Sequence, residues 1–94
     1  MSSYKFAHLR EQGQDMIVVP LDSSFGSQSS ADQHAFIDAF QAQTRVAQLA
    51  GTVVAIWRSG NQVSFIAPRP WHGFFQSPGI WNLILANLNK ELTI

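Results

Sequence analysis

Along this chain the rhythm of apolar positions switches between a period of two and a period near 3.6, and the switches mark the elements. From Tyr4 to Glu11 (YKFAHLRE), Tyr4, Phe6 and His8 alternate with Lys5, Ala7 and Leu9, which predicts a strand with one better-buried face. Gln12-Gly13-Gln14-Asp15 reads as a turn, with Gly13 free to take positive φ. Met16 to Leu21 (MIVVPL) is apolar without alternation and rich in β-branched residues, the mark of an interior strand. Pro20 lacks a ladder donor, so pairing is expected to weaken there. Asp22 to Gln28 is a polar linker carrying Gly26.

Ser29 to Gly51 is the one long stretch with helical period. Ser29 or Ser30 can cap it, with Asp32 or Gln33 completing a capping box. At 100° per residue, Ala35, Phe36, Ala39, Phe40, Val46, Ala47 and Ala50 share one broad stripe, opposite His34, Asp38, Gln41, Arg45 and Gln48. Gly51 is placed to end the helix. Gln43 falls inside the apolar stripe, where a buried amide needs a hydrogen-bond partner.

Thr52 to Arg58 (TVVAIWR) is a second two-sided strand, Ser59 to Gln62 a tight turn, and Val63 to Ala67 the returning strand of a hairpin. Pro68 to Gln76 is loop by its prolines and glycine. Ser77 and Pro78 are expected to open a last helix running to about Leu92, with Trp81, Leu85, Leu88 and Leu92 on one stripe. The order is then ββαββα, an α/β domain. Strands two and three should be parallel across the first helix, and the hairpins add two antiparallel pairs. The expected architecture is a two-layer sandwich: a four-stranded mixed sheet with two helices on one face. Residues 1–94 form one small domain. Strands two and three are apolar on both sides and the last helix is apolar on more than one face, so two helices on one face leave apolar surface bare, and a homodimer is the simplest way to cover it.

Composition narrows the function more than it defines it. Lys plus Arg equals Asp plus Glu at 6 each, and charged residues are 13% of the chain. Such a surface lacks the basic footprint of nucleic-acid binders. There is no cysteine, so no disulfide, thiol nucleophile or Cys-based zinc site exists. No basic segment leads into an apolar core near Met1, and no apolar run reaches the ~18 residues of a membrane span. A cytoplasmic protein off the membrane is the expectation.

The richest candidate site is the aromatic stretch Pro68 to Trp81, with Arg69, Trp71, His72, Phe74, Phe75 and Trp81. Aromatic side chains between a strand end and a helix start are placed to line a pocket. Arg69 suits a carboxylate or phosphate. His72 is the one candidate catalytic group, as base or donor. With no carboxylate near it in sequence, the alternative is a histidine bonded to backbone inside a packed aromatic plug. Gln43 joins the candidates if it looks into the same cavity.

Other constellations are weaker. His34 and Asp38 have metal-compatible spacing but no third ligand, so no metal is expected. Asp22, at a strand end, is expected to form a turn. Its linker follows strand two and the Pro68 loop follows strand four, which runs antiparallel to it, and this weakens any dyad of Asp22 with His72. No phosphate loop, dinucleotide fingerprint or nucleophile elbow is present, and no cofactor is implied. Tyr4, Phe6, Trp57 and Phe65 could stack single-stranded bases if one sheet face were open. The reading favoured by the sequence is a non-enzymatic binding domain for a small apolar or aromatic ligand, or for a protein partner. A small enzyme using His72 with Arg69 is the alternative, and single-stranded nucleic-acid binding the third.

Overall fold

The computed structural model of the chain describes residues 3–11 and 13–93. Gln12, assigned to the first turn, lies outside the described residues. The elements are β1 (Ser3–Glu11), β2 (Gln14–Leu21), α1 (Ser30–Val46), β3 (Thr52–Ser59), β4 (Gln62–Ile66), α2 (His72–Phe75), α3 (Ile80–Ala86) and β5 (Lys90–Thr93). The strands form one mixed five-stranded sheet in the order β4-β3-β2-β1-β5. Only β2 and β3 are parallel; the β1–β2, β3–β4 and β1–β5 pairs are antiparallel. The mixed α/β class, both hairpins and the parallel central pair are as the sequence predicts. No helix among the described residues is long and apolar enough to cross a membrane.

The first correction concerns layers. β2 and β3 are buried on both faces, and each face has its own cover. Phe6, Ile17, Val19 and Val53 pack with Phe40 of α1. Ala7, Met16, Val18, Val54 and Ile56 pack with Phe75 of α2 and with Ile80 and Ile84 of α3. Alternation along the strands sends successive side chains to opposite faces, so the helices sit on both sides and the domain has three layers. The bare sheet face that called for a dimer does not exist. Among the described residues the large apolar side chains left exposed are Val46, Leu83 and Leu85, at 77%, 44% and 44%.

The second correction is β5. Leu85, Leu88 and Leu92 fit a helical repeat, but the helix stops at Ala86. Two asparagines explain the stop. The Asn87 side chain donates to the Leu83 carbonyl at 2.8 Å, while the Asn87 amide donates to the Ile84 carbonyl. The Asn89 side chain then acts as a piece of strand. It accepts from the His8 amide at 3.0 Å and donates to the His8 carbonyl at 3.3 Å. The chain turns into β5, where Tyr4 faces Leu92 and Ser3 faces Thr93. Asparagine competes for backbone groups in this way, which is why it suits helix ends. The start of α3 also differs. Gly79, in a left-handed conformation, precedes the helix, and the Ser77 hydroxyl donates to the Gly73 carbonyl instead of capping α3.

β1 divides its pairing. Ala7 to Glu11 pair with β2, and Ser3 to Phe6 pair with β5. The β1–β2 ladder ends at Ala7 and Val18, two residues before Pro20, whereas the β2–β3 ladder continues to Leu21 and Trp57. In a parallel ladder alternate residues address alternate neighbours. The donor missing at Pro20 therefore falls on the side that β1 has left.

The third correction is the phase of α1. Ser29 caps it as expected, its hydroxyl accepting from the Asp32 amide at 3.1 Å. The buried face, however, runs through Phe36, Ile37, Phe40, Gln41 and Thr44, while Ala35, Ala39, Gln43 and Ala47 are exposed. Gln41, expected on the outer face, is the inward amide. Its Oε1 accepts from the Val53 amide at 3.0 Å. Its Nε2 donates to the Gly51 carbonyl at 3.0 Å and to the Thr44 hydroxyl at 3.2 Å. The Thr44 hydroxyl donates to the Gln41 carbonyl at 2.8 Å. The last β3–β4 pair is Ala55 with Ile66, so the Val53 amide lies beyond the reach of β4 and Gln41 takes its place. Polar groups satisfied in this way pack like core residues. Exposing alanine costs little, and this allows the helix to turn its alanines outward.

Nor does Gly51 end the helix. The chain closes α1 at Ala47, with Gln48 left-handed at φ 60°. The Leu49 amide donates to Thr44 and the Gln48 amide to Arg45, the paired bonds of a Schellman motif. Between Gln28 and the strand before it, Ser23–Ser27 forms a 3-10 turn, held by Asp22 accepting from the Ser24 amide. Phe25 in that turn is buried, edge-on to Phe36 and Trp57. The linker is thus part of the α1-side core. Asp22 does form the expected turn.

Two stability outcomes follow. Gln41→Ala leaves the Val53 amide unpaired and should cost about 1–3 kcal/mol, whereas Gln43→Ala should stay within about 0.5 kcal/mol. Urea unfolding of both variants checks this, and equal effects would contradict the phase of α1. Gln48→Gly relieves a left-handed side chain and should raise the melting temperature, a gain of roughly 0.5–1 kcal/mol. Calorimetry reads it directly.

Candidate functional site

Antiparallel β4 brings the chain back to the end of the sheet where β2 and β3 begin. The segment after β4 must therefore cross that end before it can cover the face. Pro68 opens a short 3-10 turn, Arg69–Trp71, whose Trp71 amide donates to the Pro68 carbonyl at 2.9 Å. α2 follows at once, and Phe75 is driven into the core at 1% exposure. Trp71 and Phe74 remain half-buried at the margin of the same apolar cluster.

Between this segment and the sheet lies an open cleft of about 890 Å³. Its sheet side is made by Glu11 and Gln14, which face each other beside the first hairpin turn, and by Met16 and Thr52, partners in the parallel ladder. Its other side is made by Pro68, Pro70, Trp71, Gly73, Phe74 and Ser77. The size falls within the ~300–1,000 Å³ usual for small-molecule sites. A second, smaller cleft of about 360 Å³ lies at the opposite border of the segment, lined by Val63, Phe65, Phe75, Trp81 and residues around Pro78.

The sequence-derived set is therefore divided. Trp71 and Phe74 line the larger cleft; Phe75 and Trp81 line the smaller one. Arg69 is exposed and lines neither, although both its proline neighbours line the larger cleft. Gln43 is exposed on α1, across the sheet from this segment, and shares no cavity with it. His72 lines neither cleft. Its Nε2 sits 2.9 Å from the Ala67 carbonyl, and its ring stands edge-on to Phe65 at 5.1 Å. The imidazole is thus held by a backbone oxygen and an aromatic ring, which offer neither a carboxylate nor a nucleophile. His72 ties the segment to the end of β4.

Among the described residues no group of three or more His, Asp or Glu side chains is placed to hold a metal ion. The rings considered for base stacking are spent on the core. Tyr4 and Phe6 pack edge-on to Phe40, Trp57 to Phe25, and Phe65 lies against Phe75. Three of them face α1 and one faces α2, so they do not form one platform.

Glu11, Gln14, Met16 and Thr52 belong to the larger cleft and were not among the sequence candidates. A signal for them exists in the topology. Two parallel strands followed by an antiparallel one place the exit of β4 beside the starts of β2 and β3, which singles out the first residues of those strands and, through its pairing with Gln14, Glu11 at the end of β1. No protein-family model, curated protein or solved structure matches the chain.

The roles of Arg69 and His72 separate on substitution. His72→Phe keeps the ring packing but removes the bond to the Ala67 carbonyl, and should lower stability by about 1 kcal/mol. Arg69→Ala should change stability by less than about 0.5 kcal/mol. Thermal unfolding of the two variants is the measurement.

Proposed function

We propose that this domain is a non-enzymatic binding module that holds a small apolar or aromatic ligand in the larger cleft. The observation that carries the reading is the cleft itself: two half-buried aromatic rings, Trp71 and Phe74, stand at the edge of the core beside Met16 and two prolines. Around them Gln14, Thr52 and Ser77 offer neutral hydrogen-bonding groups, the usual complement for fixing an apolar ligand.

The reading needs no second copy of the chain. Of the two grounds for a homodimer, the bare sheet face is gone, since both faces are covered by the chain's own helices, and the other is reduced to Leu83 and Leu85 exposed on α3. An enzymatic reading built on His72 and Arg69 has less support, since neither residue lines the cleft.

The test is a titration with simple aromatic fragments, read by amide and indole resonances. Shifts should concentrate on Trp71, Phe74, Met16 and Thr52, with Gln43 unmoved. Trp71→Ala should weaken binding by roughly tenfold or more, in line with loss of a central aromatic anchor. Shifts that centre on Phe75 and Trp81 instead would move the site to the smaller cleft. No shifts at all would reject the proposal.

A further inference from the structure

We infer that the larger cleft selects ligands carrying a positively charged nitrogen on an apolar or aromatic body; this rests on the binding function proposed above. Among the residues lining the cleft, Glu11 is the one ionisable group. Its fixed charge is therefore a single carboxylate, on the exposed sheet side, facing an aromatic wall that contains Trp71 and Phe74.

The neighbouring cations do not line the cleft. Arg10 precedes Glu11 on β1, and strand alternation sends its side chain to the opposite face, where its register partner is Asp15. Arg69 lies between two lining prolines but does not line the cleft itself. Its exposed side chain has solvent to turn to.

An ammonium group entering the cleft would meet two favourable features at once. The carboxylate offers charge-assisted hydrogen bonding, which is stronger than bonding between neutral groups. Within about 6 Å of an aromatic ring face, a cation also gains from the ring quadrupole, most of all with tryptophan. A carboxylate ligand would meet Glu11 with no lining cation to offset it, and like charges brought together oppose binding. The neutral groups Gln14, Thr52 and Ser77 accept or donate and favour neither sign. The cleft thus has one sign of charge and one apolar wall, a pairing that suits an aryl-alkyl amine.

Three compounds of one shape and different charge test this: 2-phenylethylamine, 2-phenylethanol and 3-phenylpropionate, titrated into the native chain and into Glu11→Gln, with resonances of the cleft residues as the readout. The amine should bind about three- to tenfold more tightly than the alcohol, and the propionate more weakly than either. In Glu11→Gln the amine should lose most of its advantage over the alcohol, keeping only what the aromatic wall supplies, while the alcohol keeps its native affinity. Added salt should weaken the amine and leave the alcohol unchanged. Amine and alcohol binding alike, propionate binding as tightly as the amine, or an amine indifferent to Glu11→Gln would each overturn the inference while leaving the cleft as a ligand site. If none of the three compounds shifts a cleft residue, the inference and the proposed function fall together.

Discussion

The central constraint is that β2 and β3 are apolar on both faces. Ile17, Val18, Val19, Val54, Ala55 and Ile56 have no exposed surface at all, so nothing in the middle of the sheet can face water. Each face must be roofed by the same short chain. The crossover between the two parallel strands supplies α1 for one face, and the segment after β4 must supply the other. At about 25 cal/mol per Å² of apolar surface, leaving either side bare would remove much of the margin by which a domain this small stays folded.

The two covers are unequal, and the larger cleft follows from that inequality. α1 is a 17-residue helix that spans its face. The opposite cover is assembled from a 3-10 turn, a 4-residue helix and a 7-residue helix. Short pieces joined by Pro and Gly turns cannot close over the sheet as one helix does. Phe75, Ile80 and Ile84 reach the centre of the core, and the corner over Met16 and Thr52 is left as a cleft. Trp71 and Phe74 border this gap and are half-buried for that reason. His72 fixes the first piece to Ala67, which sets how far the segment stands from the sheet.

What the sequence conveys well is pairing. Period-two alternation, the unbroken apolar runs and the glycine turns identify β1 to β4 and their directions. Gly60, at φ 61°, takes the first place of the second hairpin turn, where a type II′ turn needs it. Harder to read are the elements whose polar residues act as backbone. Gln41 and Thr44 look like surface residues until the unpaired amide of Val53 gives them partners, and this misplaces the helix phase and puts Gln43 inside. Asn89 looks like a helix-surface residue until it stands in for a strand, and this hides β5. For the clefts, aromatic density pointed to the segment that borders both of them. It did not show that the rings would divide between two clefts, because that depends on where Phe75 is anchored. The acidic and polar half of the larger cleft comes from the end of β1 and the starts of β2 and β3, where no aromatic signal exists.

The split pairing of β1 also bears on the order of folding. Its second half is matched by β2, with Glu11 opposite Gln14, a contact close in sequence that forms locally and fast. Its first half waits for β5, with Ser3 and Thr93 meeting across 90 positions of sequence. Until then Tyr4 and Phe6 have only α1 beside them, and one edge of β1 carries unpaired backbone groups. Pairings this distant in sequence slow folding, because the loop must close before the contact repays it. The sheet thus closes at β5 on a pairing of the two ends of the chain, and Asn89, bonded to both the amide and the carbonyl of His8, is the latch beside it.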